Sequence, residues 1–136
     1  MRTAPLTRLF GSLGRGKRFN RALGGAGERL AARHLHREGH RILERNWRSG
    51  SGEIDVISAL PDGTVVFTEV KTRRGEGHGS PLEAVDAVKR GRIMRASNDY
   101  LRRWRLETRS VRYDLIGVLL TEEGALVEIE HVPGII

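Results

Sequence analysis

The chain has 136 residues, 38% hydrophobic and 30% charged, which is enough for one domain with a modest core and too few for two. It contains no cysteine, which excludes disulfides and thiolate metal sites and fits a reducing compartment, so a cytoplasmic location is expected. The net charge is +7, no run approaches the ~18 apolar residues of a membrane span, and the amino end lacks the apolar core of a signal peptide.

Residues 1–27 carry six Lys or Arg and no acid. The first 24 or so, running into "ALGGAG", read as a basic flexible arm and linker, with a targeting segment as the alternative. The remainder, 25–136, reads as the folded domain. Its first element is a helix from about Ala26 to Glu38, with Leu30, Ala31 and Leu35 on one stripe and Gly39 as its stop. "HRILERNWRS" follows as a strand that ends at the turn "SGSG".

Two further strands come next, Glu53–Ala59 and Thr64–Lys71, joined by Pro61-Asp62-Gly63. Proline pre-sets the first turn position and glycine supplies the left-handed residue of a three-residue hairpin loop. That loop length sets Leu60 opposite Thr64, hence Asp55 opposite Glu69 and Glu53 opposite Lys71. Alternation then places Glu53, Asp55, Glu69 and Lys71 on one face, shared with Ile57, Val65 and Phe67. Ile54, Val56, Val66 and Val70 fall on the other.

The loop "TRRGEGHGS" leads to a helix from Pro81 to about Arg105, with Ser80 as its N-cap, Glu83 completing a capping box and a break expected near Gly91. Val85, Val88, Ile93, Ala96 and Leu101 form its inner stripe. "VRYDLIGVLL" and "ALVEIEHV" close the chain as two strands around "TEEG". The order αβββαββ predicts an α/β domain with helices on a sheet.

The charged face of the hairpin carries the chemistry. Mg²⁺ prefers oxygen ligands and is held by one or two carboxylates with water and phosphate. A lysine beside it can orient the attacking water or neutralise phosphoryl charge. The Glu69 and Lys71 side chains have the i, i+2 spacing that puts both on one strand face. The bland alternative is a wet sheet end with cross-strand ion pairs. The apolar neighbours on the same face weigh against it, because charge beside a covered surface is costly without a partner.

Charge distribution points to a polyanion. Residues 71–112 hold twelve Lys or Arg against five acids, and residues 113–136 hold five acids and no Lys or Arg. Arg73 and Arg74 directly follow Lys71, and Lys89, Arg90, Arg92 and Arg95 cluster near a helix start. Each fits a phosphate contact or an ordinary solvated surface.

Four motifs in order, "GERLAARHL", "NWRS…GEIDVI", "VVFTEVKTRR" and "VRYDLIGV", resemble the YraN family of small bacterial predicted endonucleases. That family lies in the PD-(D/E)XK nuclease superfamily, related to archaeal Holliday-junction resolvases. The resemblance spans about residues 25–131. It implies a restriction-endonuclease-like core, a mixed sheet flanked by helices. It further implies Asp55 and Glu69 as metal ligands, Lys71 as the catalytic lysine, and Glu28 as a helix carboxylate that helps hold the metal. Glu28 also reads as a first-turn acid complementing the helix dipole, and Glu53 as a supporting acid. Ile54 stands where the superfamily name has proline, as is usual in the resolvase-like branch.

Tyr113 and Asp114 match a family motif, but a buried strand position with a hydrogen-bonded acid is the favoured reading. His34 and His36 face different sides of their helix and His40 lies past its end, so a zinc site is not expected. His78 sits in the glycine-rich loop with nothing to fix its position.

The reading is therefore an endonuclease using Mg²⁺ or Mn²⁺ to hydrolyse DNA, with branched DNA as one substrate and a homodimer as one assembly. The alternatives are a non-catalytic nucleic-acid-binding module on the same fold and an assembly partner that uses the basic arm.

Overall fold

The structure, a computed structural model, describes residues 21–75 and 87–136. The arm at 1–20, His78, the Ser80–Pro81–Glu83 cap and Val85 lie outside the described residues.

Helix α1 (Arg21–Arg37) precedes three strands, β1 (Arg41–Ser49), β2 (Gly52–Ala59) and β3 (Val65–Arg74). Helix α2 (Ala87–Arg103) then leads to β4 (Val111–Leu120) and β5 (Leu126–Val132). The expected order αβββαββ is the observed one. All five strands form one sheet in the order β1-β2-β3-β4-β5. β3 and β4 run parallel from Val65–Val111 to Arg74–Leu120, and the other neighbours are antiparallel, so the sheet is mixed. A parallel pair needs a long crossover, and α2 lies in that connection.

The turn chemistry behaves as its residues dictate. Gly63 takes φ 93°, the N–H of Leu60 donates to the carbonyl of Thr64 (2.9 Å), and the Asp62 carboxylate accepts the N–H of Thr64 (2.9 Å). The register follows as expected through Ala59–Val65, Ser58–Val66, Ile57–Phe67 and Val56–Thr68. Gly39 takes φ 96° past the end of α1. The N–H of Gly39 bonds the carbonyl of His36, and that of His40 bonds Leu35, so the last turn is closed.

Each helix covers one face of the sheet. Under α1, Ala31 and Leu35 meet Val56, Val70, Ile116, Val118 and Leu120. Under α2, Ile93, Ala96, Tyr100 and Leu101 meet Leu43, Ile57, Val65 and Phe67. Tyr100 is fully buried and packs edge-to-face on Trp47 (5.3 Å) and Phe67 (5.9 Å).

Three expectations change. Helix α1 begins at Arg21, not near Ala26, so its glycines lie within it. Gly27 explains itself, since a Cβ there would collide with the side chain of Thr72 on β3. Helix α2 runs unbroken through Gly91, where burial of one face outweighs the ~1 kcal/mol cost of a helical glycine. Ile54 sits not with Val56 but in the cluster under α2. The β1–β2 ladder skips the Asn46–Asp55 position, where Asn46 takes φ 51°, and strict alternation fails at that kink.

Candidate functional site

The β2–β3 ladder stops at Val56–Thr68, so the expected cross-strand pairs Asp55–Glu69 and Glu53–Lys71 do not form, while β3 continues beside β4 to Arg74. Past that point β2 and β3 part, and the N–H of Val70 is left without a strand partner on the β2 side. The Asp55 carboxylate fills this role, accepting the Val70 N–H at 2.8 Å. A side chain has taken over a ladder bond, which holds Asp55 in the opening between the strands.

Glu28 reaches this point from α1. Its carboxyl group faces the Asn46 side chain and Asp55, and it lies in the field of Arg45 and Glu53. Burial raises the Glu28 pKa above its ordinary value, against the pull of Asn46 and Arg45. The dipole reading of Glu28 does not hold, because a helix beginning at Arg21 places it beyond the first turn, which contains no acid.

Asp55 is raised further, well above the ordinary range. Desolvation is the largest cause, followed by the charges of Glu69 and Glu28, and the Val70 N–H only partly offsets them. The residue as a whole is half-buried.

Glu69 comes from β3, its side chain 14% exposed, and faces Lys89 of α2, whose Nζ lies 3.5 Å from Glu69 Oε2. Lys71 lies beside Lys89, and that closeness, with burial, lowers the Lys71 pKa despite Glu69 nearby. Lys89 moves the other way. Its burial is outweighed by Lys71, Glu69 and Asp55 together.

The fold thus brings Glu28, Asp55, Glu69, Lys71 and Lys89 to one place. Glu53 stands at its rim, paired with Arg48 at 3.8 Å. Arg73 acts electrostatically on Lys71. Arg74 points to the β4–β5 turn, donating to the carbonyl of Glu122 at 3.0 Å. Arg90, Arg92 and Arg95 are exposed on α2.

The donor set suits a hard divalent cation. Its carboxylates repel one another, and a cation would relieve that repulsion. Among the described residues no group of three or more His, Asp or Glu side chains is placed to hold a metal ion as it stands. An open arrangement of one or two carboxylates is what Mg²⁺ with water and phosphate requires.

Sequence reasoning missed Asn46 and Arg45, which position Glu28. An asparagine in mid-strand was a usable signal, since it disfavours strands and tolerates positive φ. Among the described histidines, the contacts are with neighbouring side chains. His40 Nδ1 bonds Ser58 Oγ at 2.9 Å, and His34 Nε2 meets His131 Nδ1 at 3.3 Å. Asp114 is the buried, hydrogen-bonded acid expected of it. Tyr113 bonds Ser97 through its hydroxyl at 2.7 Å.

Known proteins provide three likenesses. The profile described as "Uncharacterised protein family UPF0102" matches residues 27–118. A UPF0102 protein of Rhodococcus opacus is 46% identical over 113 residues, covering 83% of this chain and 94% of its own, and one of Syntrophotalea carbinolica is 45% identical over 113 residues, covering 83% and 89%. Among solved structures, a repair endonuclease from Pyrococcus abyssi is similar over 85% of this chain at 20% identity and a TM-score of 0.41. This chain spans 42% of its length.

Proposed function

The chain belongs to the uncharacterised protein family UPF0102, and from that premise we propose that it is a Mg²⁺- or Mn²⁺-dependent endonuclease with a restriction-endonuclease-like core. Its substrate is DNA, branched or otherwise structured. The observation that carries this reading is the Asp55 carboxylate. It is desolvated, set among like charges and held in a gap between strands, an arrangement that costs stability and gains meaning only with a cation.

Asp55 and Glu69 would hold the metal through their oxygens, with Glu28 completing the set and Asn46 orienting Glu28. When bound, the metal polarises a phosphoryl oxygen and makes water a better nucleophile. Lys71, whose pKa Lys89 and burial lower, would orient the attacking water, whose proton passes to solvent. Water adds to phosphorus, one P–O ester bond breaks, and the leaving oxygen collects a proton from solvent. Arg73 beside Lys71 and the exposed Arg90, Arg92 and Arg95 supply cations for the DNA backbone.

Calorimetric titration of Mg²⁺ and Mn²⁺ into wild type, Asp55→Asn and Glu69→Gln tests the metal. The two variants are expected to lose binding, and unchanged affinity sinks the reading. Cleavage of linear, flapped and four-way DNA, with Lys71→Ala as control, then tests the chemistry. Metal and DNA binding without cleavage of any substrate would leave the binding-module reading instead.

A further inference from the structure

Glu69 has cationic neighbours from two different elements. Lys71 lies two residues along β3, whereas Lys89 comes from the first described turn of α2. Lys89 Nζ is 3.5 Å from Glu69 Oε2, its head group lies beside Lys71, and it lies in the field of Asp55 as well. One ammonium therefore serves both carboxylates that would hold a divalent ion. Its side chain is 31% exposed against 14% for Glu69, so the stem has a route to solvent that the acid lacks. A lysine is a compact charge on a flexible four-carbon stem, suited to leaving one anion for another.

We propose that Lys89 is a resident counter-cation of this acidic site, displaced from Glu69 by a divalent metal and then drawn to a phosphate of bound DNA. The inference rests on the metal reading above and adds a coupling to it. Metal entry breaks the Lys89–Glu69 contact, and a nucleic-acid phosphate then stabilises the displaced ammonium. By linkage, each ligand strengthens the other by the same factor. Lys89 is a positioning residue in this scheme, since it sets how tightly metal binds without being required to hold it.

The experiment is a Mn²⁺ titration of the full chain, read by electron paramagnetic resonance, with and without a short DNA duplex. Wild type, Lys89→Met, Lys89→Arg and Asp55→Asn are compared, and thermal melts establish that each is folded. Without DNA, Lys89→Met is expected to bind Mn²⁺ roughly two- to fivefold more tightly than wild type, as removal of a partly exposed competing ion pair implies. DNA is expected to tighten Mn²⁺ binding in wild type and Lys89→Arg but not in Lys89→Met. Equal or weaker Mn²⁺ binding by folded Lys89→Met overturns the proposal, as does full retention of the DNA effect in that variant. If Asp55→Asn abolishes binding while Lys89→Met behaves as wild type, only the counter-cation role falls. If Asp55→Asn binds as wild type does, the metal reading fails and takes this proposal with it.

Discussion

Asp55 and Asp114 are both strand aspartates whose carboxyl groups lie in the interior, and the company each keeps is opposite. Asp114 on β4 receives Arg112 through two bonds (2.9 and 2.8 Å), His131 of β5 at 2.7 Å and the N–H of Gly134 at 3.2 Å. Burial alone would raise its pKa. The bonds from His131, Arg112 and Gly134 outweigh it and bring the value from the ordinary 3.8 to about 2. Asp55 has one backbone N–H and two neighbouring acids, and its pKa moves up. The first aspartate is satisfied by the chain itself and ties β4 to β5 and the carboxyl end. The second is left with like charges for neighbours. A buried charge that the fold completes is structure, and one that it leaves incomplete is a candidate for function.

The largest test of that contrast is Asp114→Ala. It strands Arg112 and His131 beside an empty acceptor, and a loss of about 3–5 kcal/mol in urea unfolding is expected. A loss below 1 kcal/mol would mean that the Asp114 network is dispensable. The pH dependence comes next. A carboxylate whose folded pKa is depressed contributes stability above its unfolded pKa, 3.8, and loses it as pH falls toward 2. Asp114 should therefore account for about 2 kcal/mol of the stability difference between neutral pH and pH near 2, a slope that Asp114→Asn flattens.

Asp55→Asn should do the reverse at neutral pH. Its amide oxygen can still accept the Val70 N–H, while the charge repelled by Glu69 and Glu28 is gone. A gain of about 1 kcal/mol is expected in thermal melts, together with loss of any rise in Tm on adding Mg²⁺. A destabilised Asp55→Asn would erase the distinction between the two aspartates. The smallest effect belongs to Arg48→Ala. The Arg48–Glu53 pair is long, at 3.8 Å, with side chains 65% and 37% exposed, so a change of a few tenths of a kcal/mol is expected.

Much of this architecture was legible from local rules. Pro61-Asp62-Gly63 dictated the register from Ala59–Val65 to Val56–Thr68, and Gly39 ended its helix where a left-handed residue was needed. What escaped depends on contacts between distant segments. His131 was invisible as the partner of Asp114, because its position follows from β5 pairing with β4. Gly27 fell inside the expected helix without a reason for being glycine, and only its approach to Thr72 shows it to be a packing position. Ile54 fell on the wrong side because alternation was extended through a kink that Asn46 introduces. Lys89 was visible as one of a basic cluster, but its contact with Glu69 required knowing how α2 crosses the sheet.

The bond from Val70 to Asp55 has a further consequence. Most main-chain amides of the sheet are protected by other main-chain atoms, and their exchange with deuterium reports unfolding. The Val70 amide is guarded by the same carboxylate that is proposed to bind a cation. Its exchange rate therefore reads the state of the site directly. Any ligand that draws Asp55 away unlatches one amide in mid-strand, and any ligand that leaves Asp55 in place keeps it closed. The sheet carries its own occupancy sensor at a single nitrogen.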